Sequence, residues 1–224
     1  MMRVPAAVIQ SDAIASGYIV SMVGAYAINL RTLFDAAYPA ASLVSGDEVN
    51  FNGSGTIIGT SVTVGSNAAG TPSLTRGTWP AGVVVKVNNL IVLGRGGSAY
   101  VETPLFRAGG DAVDCQSGPI IFNSCYLAGG GGCGRDVKYG ADLPWIQGGG
   151  GAGSFTGGGN PSGSYTQGGV TTAGGGNGGD LGQAGSDSSY GPVTAFIAAG
   201  AAGRAIVGAA NATLNSCTVI GATV

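Results

Sequence analysis

Short runs of alternating apolar and polar residues, punctuated by glycine and asparagine, cover most of the chain on either side of its middle. Two of them read EVNFNGSGTIIGTSVTVGS from residue 48 and GVVVKVNNLIVLGRGG from residue 82. β-branched residues that alternate with polar residues and are bounded by turn formers are typical of β-strands. The pattern therefore predicts a set of short strands.

Three of these runs align without gaps as an internal repeat. They are VKVNNLIVLG (85–94), IIFNSCYLAG (120–129) and ATLNSCTVIG (212–221), and VNFNGSGTIIG (49–59) fits with one extra residue. Each of the three gapless units places an asparagine six residues before a glycine. GGDAVD (109–114) and AGRAIVG (202–208) also correspond loosely. The repeat predicts a stack of similar rungs, in which an inward asparagine bonds its neighbour and the glycine releases the chain into a turn.

A helical pattern is confined to LRTLFDAAYP. Asn29 stands where an N-cap is expected, Leu30, Leu33, Phe34 and Ala37 fall on one helical face, and Pro39 ends the pattern. We expect one short amphipathic helix, which packs on the sheet or docks a partner.

Residues 129–191 are dominated by glycine clusters, which large residues such as Trp145, Phe155, Tyr165 and Tyr190 interrupt. Such a segment cannot bury a side-chain core, so it is either disordered or packed backbone against backbone. It lacks the high charge of disordered tracts. We favour a bundle of polyglycine II helices, three residues per turn, over a flexible linker, and the broken G-x-y period excludes a collagen triple helix.

The resulting fold class is mostly β and irregular: short β rungs with one short helix, plus a glycine-rich body of packed polyglycine II helices. We divide the chain into an N-terminal docking segment with the helix (1–48), a β-rung region (49–128), the polyglycine II region (129–191) and a closing β rung (192–224).

The charge and the cysteine content of the chain argue against several classes of function. With 9 basic residues, 11 acidic residues and no histidine, the chain has no general attraction for nucleic acid or anionic membranes. The four cysteines (Cys115, Cys125, Cys133 and Cys217) show no CxxC spacing, so we expect reduced, buried side chains and no metal, with a disulfide as the alternative. Cys125 and Cys217 share the repeat position of Leu90, which is a packing position.

No catalytic constellation is visible. Histidine is absent, and the paired acids Asp47/Glu48 and Asp111/Asp114 are better explained as a solvated loop and a turn or corner. We therefore expect no enzyme and no cofactor. The N-terminal 30 residues contain an apolar stretch that is too short and too interrupted to span a bilayer, so we expect neither a signal peptide nor membrane insertion.

At NLRTLFDAAYP, PAGVVVKVNNLIVLGRGG, NSCYLAGGGGCG and AAGRAIVGAANATLNSC, the chain resembles glycine-rich tail-fibre proteins of tailed bacteriophages. Among these it is most similar to the distal tip adhesins of T-even-type long tail fibres. The resemblance implies an N-terminal part that docks on a trimeric fibre shaft, a polyglycine II body, and loops that bind host outer-membrane proteins or surface glycans.

The expected function is therefore receptor binding at the tip of a tail fibre, by a protein of the virion assembled in the host cytoplasm. Its partners would be a fibre shaft or other virion protein and a host surface receptor, with the chain a homotrimer or a monomer on a trimeric shaft. The alternative is a structural fibre, collar or capsid decoration subunit without receptor recognition. A non-viral surface or ice-binding protein is a third interpretation, which the irregular aromatic residues disfavour.

Large side chains have no room inside a glycine bundle, so they must lie at its turns or outer face. There they either cover the bundle or contact a receptor, because Trp and Tyr dominate binding hot spots. The candidate receptor-binding residues are Arg135, Lys138, Tyr139, Trp145, Phe155, Tyr165 and Tyr190.

Overall fold

A computed structural model describes residues 17–23, 25–53, 56–58, 71–98, 107–138, 145–146, 151–152, 164–167, 170–187 and 195–224. Short strands follow one another in rungs. The first rung contains β1 (Tyr18–Met22), β2 (Ala25–Tyr26) and β3 (Ile28–Asn29), and helix α1 (Leu30–Ala37) follows it. The second contains β4 (Glu48–Gly53), β5 (Thr56–Ile58) and β6 (Leu74–Thr75), and the third β7 (Val84–Asn88), β8 (Ile91–Leu93) and β9 (Val113–Asp114).

The fourth rung is interrupted by a long insertion. It begins with β10 (Ile120–Asn123) and β11 (Tyr126–Ala128) and is completed by β17 (Ile206–Val207). Between them lie β12 (Asp136–Lys138), β13 (Trp145–Ile146), β14 (Ser164–Gln167), β15 (Val170–Gly174) and β16 (Ala195–Ile197). A 3-10 turn (Ala209–Asn211), β18 (Ala212–Asn215) and β19 (Thr218–Ile220) form the fifth rung, where Thr223 bridges Ile206.

Equivalent strands of successive rungs pair in parallel and form three sheets. Sheet 1 has the order β1-β4-β7-β10-β18, sheet 2 the order β2-β5-β8-β11-β19, and sheet 3 the order β3-β6-β9-β17. The architecture is a three-sided parallel β-solenoid, and the expected stack of rungs is confirmed. The loosely similar motifs pair directly, with Ile206 opposite Val113 in sheet 3.

Inward side chains of the three sheets form one core. In sheet 1, Val20, Phe51, Val87 and Phe122 lie in register, one per rung, and all are fully buried. Strands from the first four rungs contribute to this core. The N-terminal segment (1–48) and the β-rung region (49–128) therefore share one hydrophobic cluster. Stacking like side chains in register buries apolar area along the whole axis.

Helix α1 forms where its pattern predicts it and packs on the solenoid, one of the two roles expected of it. The Asn29 side chain accepts a hydrogen bond from the Thr32 N–H at 3.1 Å, and Leu30 and Phe34 are fully buried in the core. Just after the helix, the Tyr38 hydroxyl donates to the Ile19 carbonyl at 2.7 Å and accepts from the Ile19 N–H at 3.3 Å. The helix thus packs on the first rung.

An asparagine ladder runs along sheet 1. Asn88 Nδ2 donates to Asn52 Oδ1 at 2.7 Å, Asn123 to Asn88 at 2.7 Å, and Asn215 to Asn123 at 2.8 Å. The predicted bonding is confirmed, but the predicted inward orientation is wrong. These side chains lie at the outer corner because strand alternation turns them away from the buried residue that precedes each of them.

The residue after the ladder asparagine makes the turn into sheet 2. Asn89, Ser124 and Ser216 adopt left-handed φ values of 57°, 53° and 54°. The next residue then points into the core at Leu90 and Cys125, whereas Cys217, in the last rung, is half-buried. The prediction that cysteine occupies a packing position here is confirmed.

The glycine segments pack through their backbones around a central segment, residues 129–135. Gly130 and Cys133 both donate their N–H to the segment 107–110, at 2.9 and 2.8 Å. The carbonyls of the same two residues accept from the segment 200–203, both at 2.8 Å. The hydrogen-bonding direction therefore repeats every three residues.

The two residues between them bond to other neighbours. Gly131 donates to Ala152 and accepts from Gly97, both at 2.7 Å, and Gly132 donates to Gln183 at 2.9 Å and accepts from Gly179 at 2.8 Å. Six neighbouring stretches of chain thus surround one, because the segment 175–187 passes it twice, at residues 176–179 and 183–186. We call the segments 94–98, 107–110, 129–135, 151–152, 175–187 and 198–203 the glycine body.

Two antiparallel sheets complete the described structure. β12 lies between β13 and β16 in a three-stranded sheet, which we call the tip sheet, and β14 pairs with β15. Within the described part of the chain, no helix is long and apolar enough to cross a bilayer.

Asn123→Ala should lower the free energy of unfolding by about 1–2 kcal/mol, because it removes two ladder hydrogen bonds. Asn52→Ala removes one and should cost about half as much. Asn50→Ala, outside the ladder on the same strand, is the matched control for urea unfolding. Equal midpoints for Asn123→Ala and Asn50→Ala would show that the ladder contributes nothing.

Gly130→Ala should be strongly destabilising, because its Cβ would overlap the Arg95 carbonyl. We expect a loss of roughly 3 kcal/mol or more in unfolding free energy. Gly110→Ala is the matched control, since there the nearest atom to the new Cβ would be the Arg95 nitrogen at 3.1 Å. If both variants unfold at the same urea concentration as the parent, close backbone packing is not what holds the body together.

Candidate functional site

The tip sheet lies at the far end of the glycine body from the solenoid. Residue 129 follows the solenoid strand β11 directly, and the segment 129–135 continues into β12. An extended run of that length covers roughly 20 Å. From β16 the chain returns through residues 198–205 to β17. The solenoid and the glycine body therefore present this sheet away from the core.

A buried ion pair anchors the tip sheet to the body. The Arg107 guanidinium binds the Asp136 carboxylate and the Gly134 carbonyl, and its Nε donates to the Ala198 carbonyl at 2.6 Å. Arg107 is 4 % exposed and Asp136 is fully buried. Arg107 lies in the insertion of the third rung, whereas the tip sheet lies in the insertion of the fourth rung. One side chain therefore joins the outgoing and the returning segments.

The tip sheet divides its large side chains between two faces. Cross-strand partners share a face in an antiparallel sheet, so Val137, Ile146 and Phe196 lie on one face. Lys138 lies opposite Trp145 on the other. Trp145 and Lys138 are both half-buried.

Arg135 and Phe196 form a cation-π pair beside the first face. The Arg135 guanidinium lies 4.5 Å from the centre of the Phe196 ring, and Phe196 is 57 % exposed. Arg135 Nε also contacts Asp187 Oδ1 at 3.1 Å. A hydrogen bond from the Ala199 N–H, together with Arg135, holds the pKa of Asp187 below its usual value. An exposed aromatic ring thus has a fixed positive charge on one side.

The candidate residues do not form one cluster in the described structure. Lys138 and Trp145 are cross-strand neighbours, whereas Arg135 lies with Phe196. Tyr165 belongs to β14, outside the tip sheet. Tyr139, Phe155 and Tyr190 lie outside the described residues.

Phe196 and the Arg107–Asp136 anchor were missed from the sequence. AFIAAG was assigned to the closing rung, but it lacks the asparagine that precedes each repeat glycine. The missing asparagine was the signal that Phe196 does not belong to a solenoid rung. Arg107 and Asp136 lie 29 residues apart in different glycine segments, and no local pattern links them.

The carboxylates considered as catalytic candidates have structural partners. Asp111 pairs with Arg204 at 2.6 Å, Asp114 accepts from the Gln116 N–H at 2.8 Å, and Glu48 pairs with Lys86 at 2.8 Å. Asp47 accepts from the Val44 N–H at 2.8 Å. The corner and loop roles expected of Asp47, Asp111 and Asp114 are the ones observed, whereas Glu48 begins strand β4 and not a loop.

The four cysteines are free thiols. Burial raises the pKa of Cys115 to about 12 and that of Cys125 to about 11, so neither is a thiolate at neutral pH. Burial also raises the pKa of Cys133. Among the described residues, no three His, Cys, Asp or Glu side chains converge as metal ligands.

Residues 18–224 match the family model described as phage tail fibre adhesin Gp38. The chain belongs to this family. It is a phage tail-fibre adhesin, a receptor-binding protein of the virion tail that attaches to the host surface. Comparisons with curated proteins and with solved structures found no match. Membership favours a binding role over a catalytic one.

The buried anchor of this adhesin should matter far more than an exposed ion pair. Asp136→Ala leaves the Arg107 cation buried and unpaired, which should cost about 3–5 kcal/mol of unfolding free energy. Asp35→Ala, which removes the exposed pair with Arg31 on α1, should cost at most about 0.5 kcal/mol. Urea unfolding measures both. Similar midpoints for the two variants would contradict the anchoring role.

Proposed function

We propose that the tip sheet and the segments connected to it carry the receptor-binding surface of this adhesin. The observation that carries the proposal is the exposed Phe196 ring, stacked by Arg135, on a sheet that the glycine body holds away from the solenoid. Exposed aromatic residues and arginine are the side chains that most often dominate binding energy.

The side chains on the two faces of the tip sheet are suited to bind a receptor surface that carries some acidic groups. Arg135 and Phe196 combine charge-assisted hydrogen bonding with an apolar ring, and Lys138 and Trp145 repeat the combination on the other face. The chain as a whole has a net charge of -2, so these cations are a local feature. The receptor in this proposal is an outer-membrane protein loop or a surface glycan that bears acidic groups.

Tyr139, Phe155, Tyr165 and Tyr190 remain predicted members of the same surface. Tyr139 directly follows β12, and Tyr190 lies between the glycine body and β16 in sequence. Their inclusion rests on the argument that large side chains are expelled from a glycine bundle.

We propose further that the glycine body is a polyglycine II bundle, as in the T-even-type tip adhesins that the chain resembles. The three-residue period of the hydrogen bonds and the six neighbours of segment 129–135 support this assignment. A bundle of this kind would serve as a rigid spacer between solenoid and receptor.

The N-terminal segment (1–48) remains the docking segment predicted from the sequence, but helix α1 packs on the first rung of the solenoid, so we assign fibre attachment to the fifth rung. In the described structure, β18 and β19 are edge strands, and Leu214 is 41 % exposed at the end of the core column. Unpaired strand edges are templates for pairing with another chain. These two edges, together with the Ile206–Thr223 bridge at the end of sheet 3, would suit a trimeric shaft carrying one adhesin monomer. We place this assembly in the host cytoplasm, where thiols remain reduced.

Two variants separate recognition from attachment. Phe196→Ser should reduce adsorption of the purified protein to host cells at least about tenfold, the loss expected for one hot-spot side chain. Leu214→Asp should leave that adsorption unchanged and prevent incorporation into fibres, because it places a charge on the docking edge.

Val44→Ser, which alters a residue 61 % exposed in the α1–β4 loop, is the matched control and should change neither result. Unfolding midpoints must stay near the parent value in all three variants. Full adsorption by Phe196→Ser would remove the tip sheet from the proposed surface. Normal fibres with Leu214→Asp would exclude the fifth rung as the attachment site.

A further inference from the structure

A cavity of about 410 Å³ opens on the outer side of the solenoid and is lined by solenoid residues. It lies where the chain passes from sheet 3 back to sheet 1, between residues 76–83 of one rung and 115–119 of the next. Its size is in the range of small-molecule sites. The side chains that form its walls include Arg76, Trp79, Pro80, Pro119, Ile121 and Thr213.

Arg76 carries a buried positive charge into this cavity. The residue is 4 % exposed, and its guanidinium donates to the carbonyls of Pro119 at 2.7 Å, Ser117 at 3.1 Å and Gly77 at 3.2 Å. Burial lowers the pKa of Arg76 from its ordinary value. Among the described residues no carboxylate pairs with it. A buried charge without a counter-charge is costly, and such charges are usually paired.

One nitrogen of the guanidinium remains available. Nε and Nη1 donate to the three carbonyls, whereas Nη2 donates to no atom of the described residues. No buried side-chain nitrogen or oxygen of the described residues lacks a hydrogen-bond partner, so Nη2 is accessible to solvent, and Arg76 lines the cavity. Gly118 lies against the same group at a φ of 134°, and a Cβ there would come within 3.2 Å of Arg76 Cζ. The backbone thus leaves room for the guanidinium at the cavity wall.

Apart from the hydroxyl groups of Ser117 and Thr213, the remaining side chains of the walls are apolar. The Trp79 indole N–H donates to the Arg76 carbonyl at 2.8 Å, and its ring packs against Phe34 and Phe51 at 5.3 and 6.1 Å between centroids. Pro80, Pro119 and Ile121 add side chains that cannot donate hydrogen bonds. A ligand that fits would have one anionic end and an apolar body.

We propose that this cavity binds a small organic carboxylate, with the acid group on Arg76 Nη2 and the apolar body against Trp79, Pro119 and Ile121. A carboxylate supplies the counter-charge that the protein does not, and bonds between two ionised groups are among the strongest in proteins. The site is separate from receptor binding at the tip.

Trp79 provides a direct readout. The chain has two tryptophans, so Trp145→Phe leaves Trp79 as the sole indole. In this background phenylacetate should change Trp79 fluorescence saturably. Its uncharged analogue 2-phenylethanol should bind at least about tenfold more weakly, the factor that corresponds to about 1.4 kcal/mol for loss of the charged contact.

Two further variants test the assignment of atoms. Arg76→Met should weaken phenylacetate at least about tenfold and leave 2-phenylethanol unchanged. Because Arg76→Met also loses three bonds to carbonyls, Thr213→Phe is the second variant: it fills the cavity, touches none of those bonds, and should abolish the response to both compounds.

The proposal is overturned if phenylacetate gives no saturable response at millimolar concentration, if the alcohol binds as well as the acid, or if Thr213→Phe binds phenylacetate normally. Cell adsorption by the unmodified protein with and without phenylacetate should be identical. A change there would place the ligand at the receptor surface instead.

Discussion

Every backbone N–H and C=O buried in this adhesin must find a partner, and in the glycine body almost no side chains are there to help. The absence of Cβ atoms is the solution: at Gly130 and Gly132 a Cβ would overlap the carbonyl of a neighbouring segment. The segments can therefore approach until backbone bonds to backbone. The position of the tip sheet depends on this packing, and so does the burial of Arg107 and Asp136.

The solenoid supplies the fixed register from which the body extends. Its strands pair in parallel, and the asparagine ladder joins sheet 1 from Asn52 to Asn215. The insertions of the third and fourth rungs both leave at the corner between sheets 2 and 3. The segments that begin at Gly94 and Gly129 therefore start side by side, joined by the bond from the Gly94 N–H to the Ala128 carbonyl at 2.7 Å.

Features that repeat or follow local rules could be predicted from the sequence. The helix after Asn29, the pairing of the ladder asparagines and the shared packing position of Leu90 and Cys125 are examples. Sheet 3 could not be delineated, because strands such as β3 and β6 have two residues each and no visible period. The predicted inward direction of the ladder asparagines was wrong. Val87 and Phe122 directly precede Asn88 and Asn123 and point inward, so strand alternation requires the asparagines to point outward. The tip contacts depend on which glycine segments become neighbours, and glycine sequences carry no information on their partners.

The separation of β11 from β17 has a kinetic consequence. β11 ends at Ala128 and β17 begins at Ile206, so the fourth rung closes only after the entire insertion has returned. Closing such a loop costs roughly 3 kcal/mol more in chain entropy than turning a two-residue corner. Only packing within the insertion can offset that cost. The last rungs and the glycine body are therefore expected to fold as one cooperative unit, late and slowly, after the first two rungs have formed.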